Sequence, residues 1–134
     1  MPIQPTRAQI EELASSADTG PVVMLNLLRF RAESSEDGGG SGRASYGRYG
    51  EGVRSLLEKV GGRVLWQGRA DSVVIGDDAD AWDAVILVEY PSRAKFLEMV
   101  SQRDYREVSE HRTSALVDSR LIACTEVYRA SSDD

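Results

Sequence analysis

Apolar residues along the chain fall into short runs of two periods, and the clearest lies at Trp82–Val100, WDAVILVEYPSRAKFLEMV. Val85, Ile86, Leu87 and Val88 are consecutive, the pattern of a strand covered on both faces, predicted over Ala84–Tyr90. Pro91 ends that strand because it cannot donate to a ladder. Ser92 then caps a helix that turns Ala94, Phe96, Leu97 and Val100 inward. Val22–Phe30, VVMLNLLRF, is apolar at both parities and predicts a second central strand. Arg63–Ala70 predicts another, continued by Ser72–Ile75 past a kink at Asp71, with a turn at Gly76–Asp80 that makes it the antiparallel neighbour of Ala84–Tyr90. The last strand is expected from Arg120 to Tyr128, after a turn at Asp118 and Ser119.

Helical spacing fills the intervals. Thr6 caps a leading helix within residues 1–19, with Ile10, Leu13 and Ala14 on one face. Tyr46, Tyr49, Val53, Leu56, Leu57 and Val60 form one side of a long helix stopped by Gly61 and Gly62. Asp104 with Glu107 resembles a capping box and opens a short helix running to about Leu116. Residues 33–44 contain ESSEDGGGSG and predict a flexible loop, and residues 129–134 a frayed tail. The glycines of that loop lack the spacing, the lysine and the helix start of a phosphate cradle.

The resulting order, β-α-β-β-α-β with helical additions, is that of an α+β, ferredoxin-like antiparallel sheet with its helices on one face. Such a sheet leaves its other face uncovered. Here that face is apolar whichever parity it takes: Val23, Leu25, Leu27, Val85 and Leu87, or Met24, Leu28, Phe30, Ile86 and Val88. A second copy packed sheet to sheet would cover it, so a homodimer forming an α+β barrel is expected.

The length of 134 residues suits a single domain spanning 1–134. A net charge of −6, with no dense basic stripe, disfavours nucleic acid and anionic membrane as partners. Cys124 is the only cysteine, which excludes an internal disulfide and fits a reducing, cytoplasmic setting. No signal core and no apolar run of about 20 residues is present to export or anchor the chain.

Few residues announce chemistry. His111, the only histidine, either docks its helix together with Arg112 or serves as an acid or base. It lacks the companions of a structural zinc site or an iron triad, so no metal is expected. Asn26 interrupts an apolar strand; it either bonds a neighbour or faces a wet pocket. Tyr46, Tyr49, Tyr105 and Trp66 are aromatics with polar handles, suited both to core packing and to lining a small-molecule pocket. Arg29 is either a rim residue or a carboxylate fork. Glu89 and Glu126 are either edge-pairing carboxylates or a catalytic pair. No nucleophile elbow, dinucleotide fingerprint, zinc-protease pair or calcium loop occurs.

NLLRF at 26–30, Tyr46 with Tyr49, GGRVLWQG at 61–68, the stretch 82–99 and YREVSEHRTSALVDSRLI at 105–122 together resemble the domain-of-unknown-function 1330 family of the dimeric α+β barrel superfamily. The resemblance implies the dimeric barrel but no substrate. Its more distant superfamily members include cofactor-free monooxygenases, small-lactone isomerases and haem enzymes. The expectation is a homodimer with a small-molecule pocket bordered by Asn26, Arg29, Tyr46, Tyr49, Trp66, Tyr105 and His111. As a cofactor-free enzyme, isomerase-like or monooxygenase-like, it would use His111 as acid or base and Asn26 with Arg29 to hold a small organic acid or carbonyl compound. A binding or structural dimer module is the alternative, and a haem protein a further one.

Overall fold

The computed structural model describes residues 2–131. Strand β1, Val22–Phe30, lies between β3, Ala84–Tyr90, and β4, Leu116–Cys124; β2, Arg63–Arg69, flanks β3, giving the order β2-β3-β1-β4. Every neighbouring pair is antiparallel. The chain therefore has the α+β, ferredoxin-like architecture, with the two apolar-run strands β1 and β3 at the centre as their residues require.

Strand β1 sorts its side chains by parity. Val22, Met24 and Leu28 are buried beneath α2 (Gly42–Lys59), α3 (Arg93–Val100) and α4 (Arg103–Ala115). The core beneath these helices is split. Val22 and Met24 belong to a cluster with Leu56, Leu57, Val60, Tyr90, Phe96 and Met99, whereas Leu28 packs with Ala115 and Leu116. Asn26, on the same face, stands between the two. The opposite face carries Val23, Leu25 and Leu27, with Leu25 in register with Leu87 and Ile122 and Leu27 with Val85, so the first of the two apolar sets is the one left open. No helix of the described residues is long and apolar enough to cross a membrane.

Helix ends follow their capping chemistry. Thr6 and Gln9 close a full capping box on α1, Arg7–Ala14; Ser92 Oγ accepts the Lys95 N–H at the start of α3. Helix α2 begins at Gly42, earlier than its apolar period at Tyr46, because Ser41 caps it through the Ala44 N–H. At its other end Gly61 takes φ +81°, and the Gly62 N–H reaches back to the Leu57 carbonyl at 2.9 Å.

Several boundaries depart from the sequence expectation. Ser72–Ile75 forms no strand: pairing of β2 with β3 ends at Arg69 opposite Ala84, and Val74 and Ile75 are 90% and 95% exposed. Asp104 does not cap α4, which starts one residue earlier, after Gln102. Asp118 and Ser119 are not a turn but buried members of β4. That strand ends at Cys124 opposite Val23, because β1 offers almost nothing beyond it, so Thr125–Tyr128 stays unpaired. Of the tail, residues 132–134 lie outside the described residues, while Arg129 bonds both Glu89 and Glu126.

Candidate functional site

A cleft of about 1500 Å³ opens between the helices and the sheet where Asn26 interrupts the core. Met24, Asn26, Ile86 and Leu121 form its floor. One wall is a stripe of α2 at three- and four-residue spacing, Arg43, Gly47, Gly50 and Arg54, with Tyr46 and Tyr49 beside it. The other is Tyr105, Ser109 and Arg112 of α4. The leading segment crosses the mouth. The Pro2 and Ile3 carbonyls are held by Ser119 and Arg112, Gln4 donates to Thr113 Oγ1 at 2.8 Å, and Gln9 and Leu13 of α1 also face the cleft.

The tyrosines form a connected group. Tyr46 and Tyr49 lie 5.2 Å apart between ring centroids, and Tyr49 meets Tyr105 edge-on with their hydroxyls 3.1 Å apart. Burial pushes the Tyr46 hydroxyl up to about 12, a rise only partly opposed by the Arg112 guanidinium nearby. Burial raises Tyr49 well above the ordinary phenol value as well, reinforced by Tyr105. Tyr46 and Tyr49 are therefore neutral phenols at physiological pH and can donate hydrogen bonds.

The charge of the cleft is opposite to that of the chain. Its lining holds seven arginines (43, 54, 69, 93, 106, 112 and 120) and two acidic residues, Glu12 and Glu51, although the chain carries −6 overall. Some of these arginines are committed. Arg43 stacks over Phe30 at 4.9 Å, Arg112 donates to the Ile3 carbonyl at 2.7 Å, and Arg120 pairs with Asp118 at 2.7 Å. The guanidinium groups of Arg54 and Arg106 have no partner among the described residues. Arg93 Nη1 lies 3.5 Å from the Asp18 carboxylate without hydrogen-bond alignment, so this buried nitrogen is attracted by charge but has no acceptor.

Of the expected pocket residues, Asn26, Tyr46, Tyr49 and Tyr105 come together at the cleft. Arg29, Trp66 and His111 do not line it. Arg29 is on the open face of the sheet, stacked over Trp82 at 4.6 Å and bonded to the carbonyls of Ala79 and Ala81 and to Asp118. Trp66 pairs in register with Leu87 on that same face and is 54% exposed. His111 turns toward the glycine-rich loop, its Nδ1 3.0 Å from Glu36, which also accepts from Ser45 Oγ at 2.8 Å and Arg48 at 3.2 Å. That hydrogen bond from His111, with Ser45 and Arg48 beside it, holds the Glu36 carboxyl below the usual range. Glu89 and Glu126 are bridged by Arg129, and Arg63 also bonds Glu89. Arg43, Arg54 and Arg106 had no signal as isolated residues; the signal was their place on the helical stripes beside the tyrosines.

No three His, Cys, Asp or Glu side chains group to hold a metal among the described residues. A haem in the cleft would find no imidazole there, because the one histidine faces Glu36 outside it, so these residues do not fit a histidine-ligated haem.

Residues 41–125 match a family model described as a domain of unknown function, DUF1330. No curated protein matches the chain. Among solved structures, a protein of unknown function from Rhodopseudomonas palustris is 36% identical, with a TM-score of 0.89, over 95% of this chain and 98% of that one. The hydroxynitrile lyase of Passiflora edulis is 13% identical with a TM-score of 0.57, covering 84% of this chain and 100% of its own. A dimeric protein of unknown function with a ferredoxin-like fold, from Bacteroides fragilis, is 9% identical with a TM-score of 0.51, over 78% and 95% of the two chains. The last two likenesses concern the fold alone.

Proposed function

Because the chain belongs to the DUF1330 family, whose description carries no reaction, we propose a function from the cleft itself: a homodimer that takes up a small organic acid or carbonyl compound and transforms it without a resident cofactor. The observation that carries this reading is the excess of arginine over acid in the cleft of an acidic protein. Unpartnered guanidinium groups at the rim of a half-apolar cavity favour a carboxylate or an oxyanion, and the local field concentrates such ligands against the net charge of the chain. Tyr49 and Tyr105 supply phenol donors to an oxygen that gains charge, the part expected of an oxyanion-stabilising pair. Asn26 and Tyr46 belong to the binding set. Arg29, Trp66 and His111 take other parts in this reading: sheet packing for the first two, and loop anchoring for His111.

The dimer belongs to the same proposal. Val23, Leu25, Leu27, Val85 and Leu87 leave an apolar sheet face that a second copy would cover, and the Bacteroides fragilis neighbour with this fold is described as dimeric. A cytoplasmic site of action completes the reading, in keeping with the lone, unpaired Cys124. The fold is compatible with small-molecule chemistry, since the Passiflora edulis neighbour built on it is a hydroxynitrile lyase.

The test is a thermal-shift panel of small carboxylates and ketones, each acid beside its uncharged amide, followed by NMR of the hits after incubation with protein. Acids should stabilise more than their amides, and at least one hit should convert. Equal shifts would remove the anion-binding reading, and tight binding with no conversion would leave a binding module.

A further inference from the structure

The floor of the cleft carries a polar atom that the fold does not use. Asn26 lies on β1 opposite Ile86 of β3 and Leu121 of β4, with Met24 and Leu28 before and after it on the same face. Its Nδ2 donates to the Met24 and Ile86 carbonyls, each at 3.3 Å. These two acceptors fix the orientation of the amide, because the flipped form would set Oδ1 against both carbonyl oxygens. Oδ1 therefore points away from them and has no donor among the described residues. It is also absent from the fully enclosed unsatisfied atoms, of which Arg93 Nη1 is the one among the described residues, so it is open to the cleft. A carboxamide in place of an aliphatic residue breaks the core into two clusters, yet half of its hydrogen-bonding capacity is left facing the cavity.

We propose that the ligand of the cleft carries a hydroxyl or enol O–H as well as its anionic group, and that Asn26 Oδ1 accepts that hydrogen, making Asn26 the residue that selects hydroxy or enol acids over their deoxy or O-alkylated counterparts. The inference rests on the organic-acid reading above and refines it. Arginine and the phenols are donors and serve the anionic end; Asn26 Oδ1 is an acceptor and can serve only a donor. A site built to receive a hydroxyl rejects the analogue that lacks it, since the acceptor is then left facing an apolar group.

The probes are the ortho, meta and para hydroxybenzoates, each beside its methoxy counterpart and benzoate, with dissociation constants measured by ligand-observed NMR on the full chain. At least one hydroxy isomer should bind roughly 3- to 10-fold tighter than both benzoate and its methoxy partner, the worth of one neutral hydrogen bond. Asn26→Leu should erase that preference, so that the favoured hydroxy isomer binds no tighter than benzoate and its methoxy partner to the same variant, and Asn26→Ala, which removes the acceptor without adding bulk, should do the same. Binding of all the benzoates without hydroxyl preference overturns the inference and leaves the organic-acid reading standing. A preference that survives both variants overturns the assignment to Asn26. Failure of every benzoate to bind at millimolar concentration overturns the inference together with the reading beneath it.

Discussion

Helix α2 contains three interior glycines whose surroundings differ, and replacing each by alanine should give opposite results. A methyl group built at Gly47 or Gly50 meets nothing within 4 Å, whereas at Gly52 it would lie 2.9 Å from Val108 Cγ1 and 3.1 Å from Cγ2. Glycine in a helix interior costs about 1 kcal/mol relative to alanine. Gly47→Ala and Gly50→Ala should therefore each stabilise by about 0.5–1 kcal/mol, which for a domain of this size raises Tm by roughly 2–5 °C. At Gly52 the same gain is opposed by overpacking against a stiff β-branched side chain on α4, worth about 1–3 kcal/mol, so the net effect is a loss of up to about 2 kcal/mol. Urea and thermal unfolding followed by far-UV circular dichroism read all three. Because Gly47 and Gly50 also line the cleft, their alanine variants should bind small organic acids more weakly even as the fold gains stability. Destabilisation by Gly47→Ala and Gly50→Ala, or an equal gain from Gly52→Ala, would refute this division of α2 into a face lowered for the cavity and a face fitted to α4.

Leu28→Ala should cost about 2–5 kcal/mol in urea unfolding, because Leu28 is fully buried at the centre of the smaller core cluster; a loss below 1 kcal/mol would mean the site is loosely packed. The Glu36 carboxyl is held below its ordinary value of 4.5, so its contribution to stability is complete above that pH and is lost as pH falls through the lowered folded value. Glu36→Gln should flatten that part of the acid limb of a stability–pH curve, and an unchanged limb would contradict the link between the loop and His111. Leu25→Asp, on the open sheet face, should convert the proposed homodimer to a folded monomer in light scattering, and a persistent dimer would place the interface elsewhere.

Strands β1 and β3 and helix α3 were legible because their apolar runs, Pro91 and Ser92 state their structure locally. The end of the chain was not. Asp118 and Ser119 look like turn residues, but Asp118 is matched by Arg29 and Arg120, and Ser119 by the Pro2 carbonyl. Arg29 and Pro2 are remote in sequence, and these partners together allow polar residues to sit buried in a strand. Val73–Ile75 and Val127–Tyr128 erred the other way: they have strand composition, but no strand is left to pair with them. In the cleft, Asn26 and the tyrosines were legible as oddities of pattern. The arginines of α2 and α4 could not be separated from solvated surface charge until the helices fixed which stripe faces the sheet. His111 drew attention as the only histidine, but its geometry ties it to Glu36.

A dimer whose cleft holds a small organic acid can be seen in one step by native mass spectrometry of gently purified protein, compared with the same sample denatured. The expected mass is that of two chains plus a reproducible small adduct that leaves on denaturation and proves to be an acid. A bare monomer would contradict the sheet-to-sheet dimer and with it the enclosed site, and a dimer retaining only a cationic or neutral molecule would contradict the anion-binding cleft.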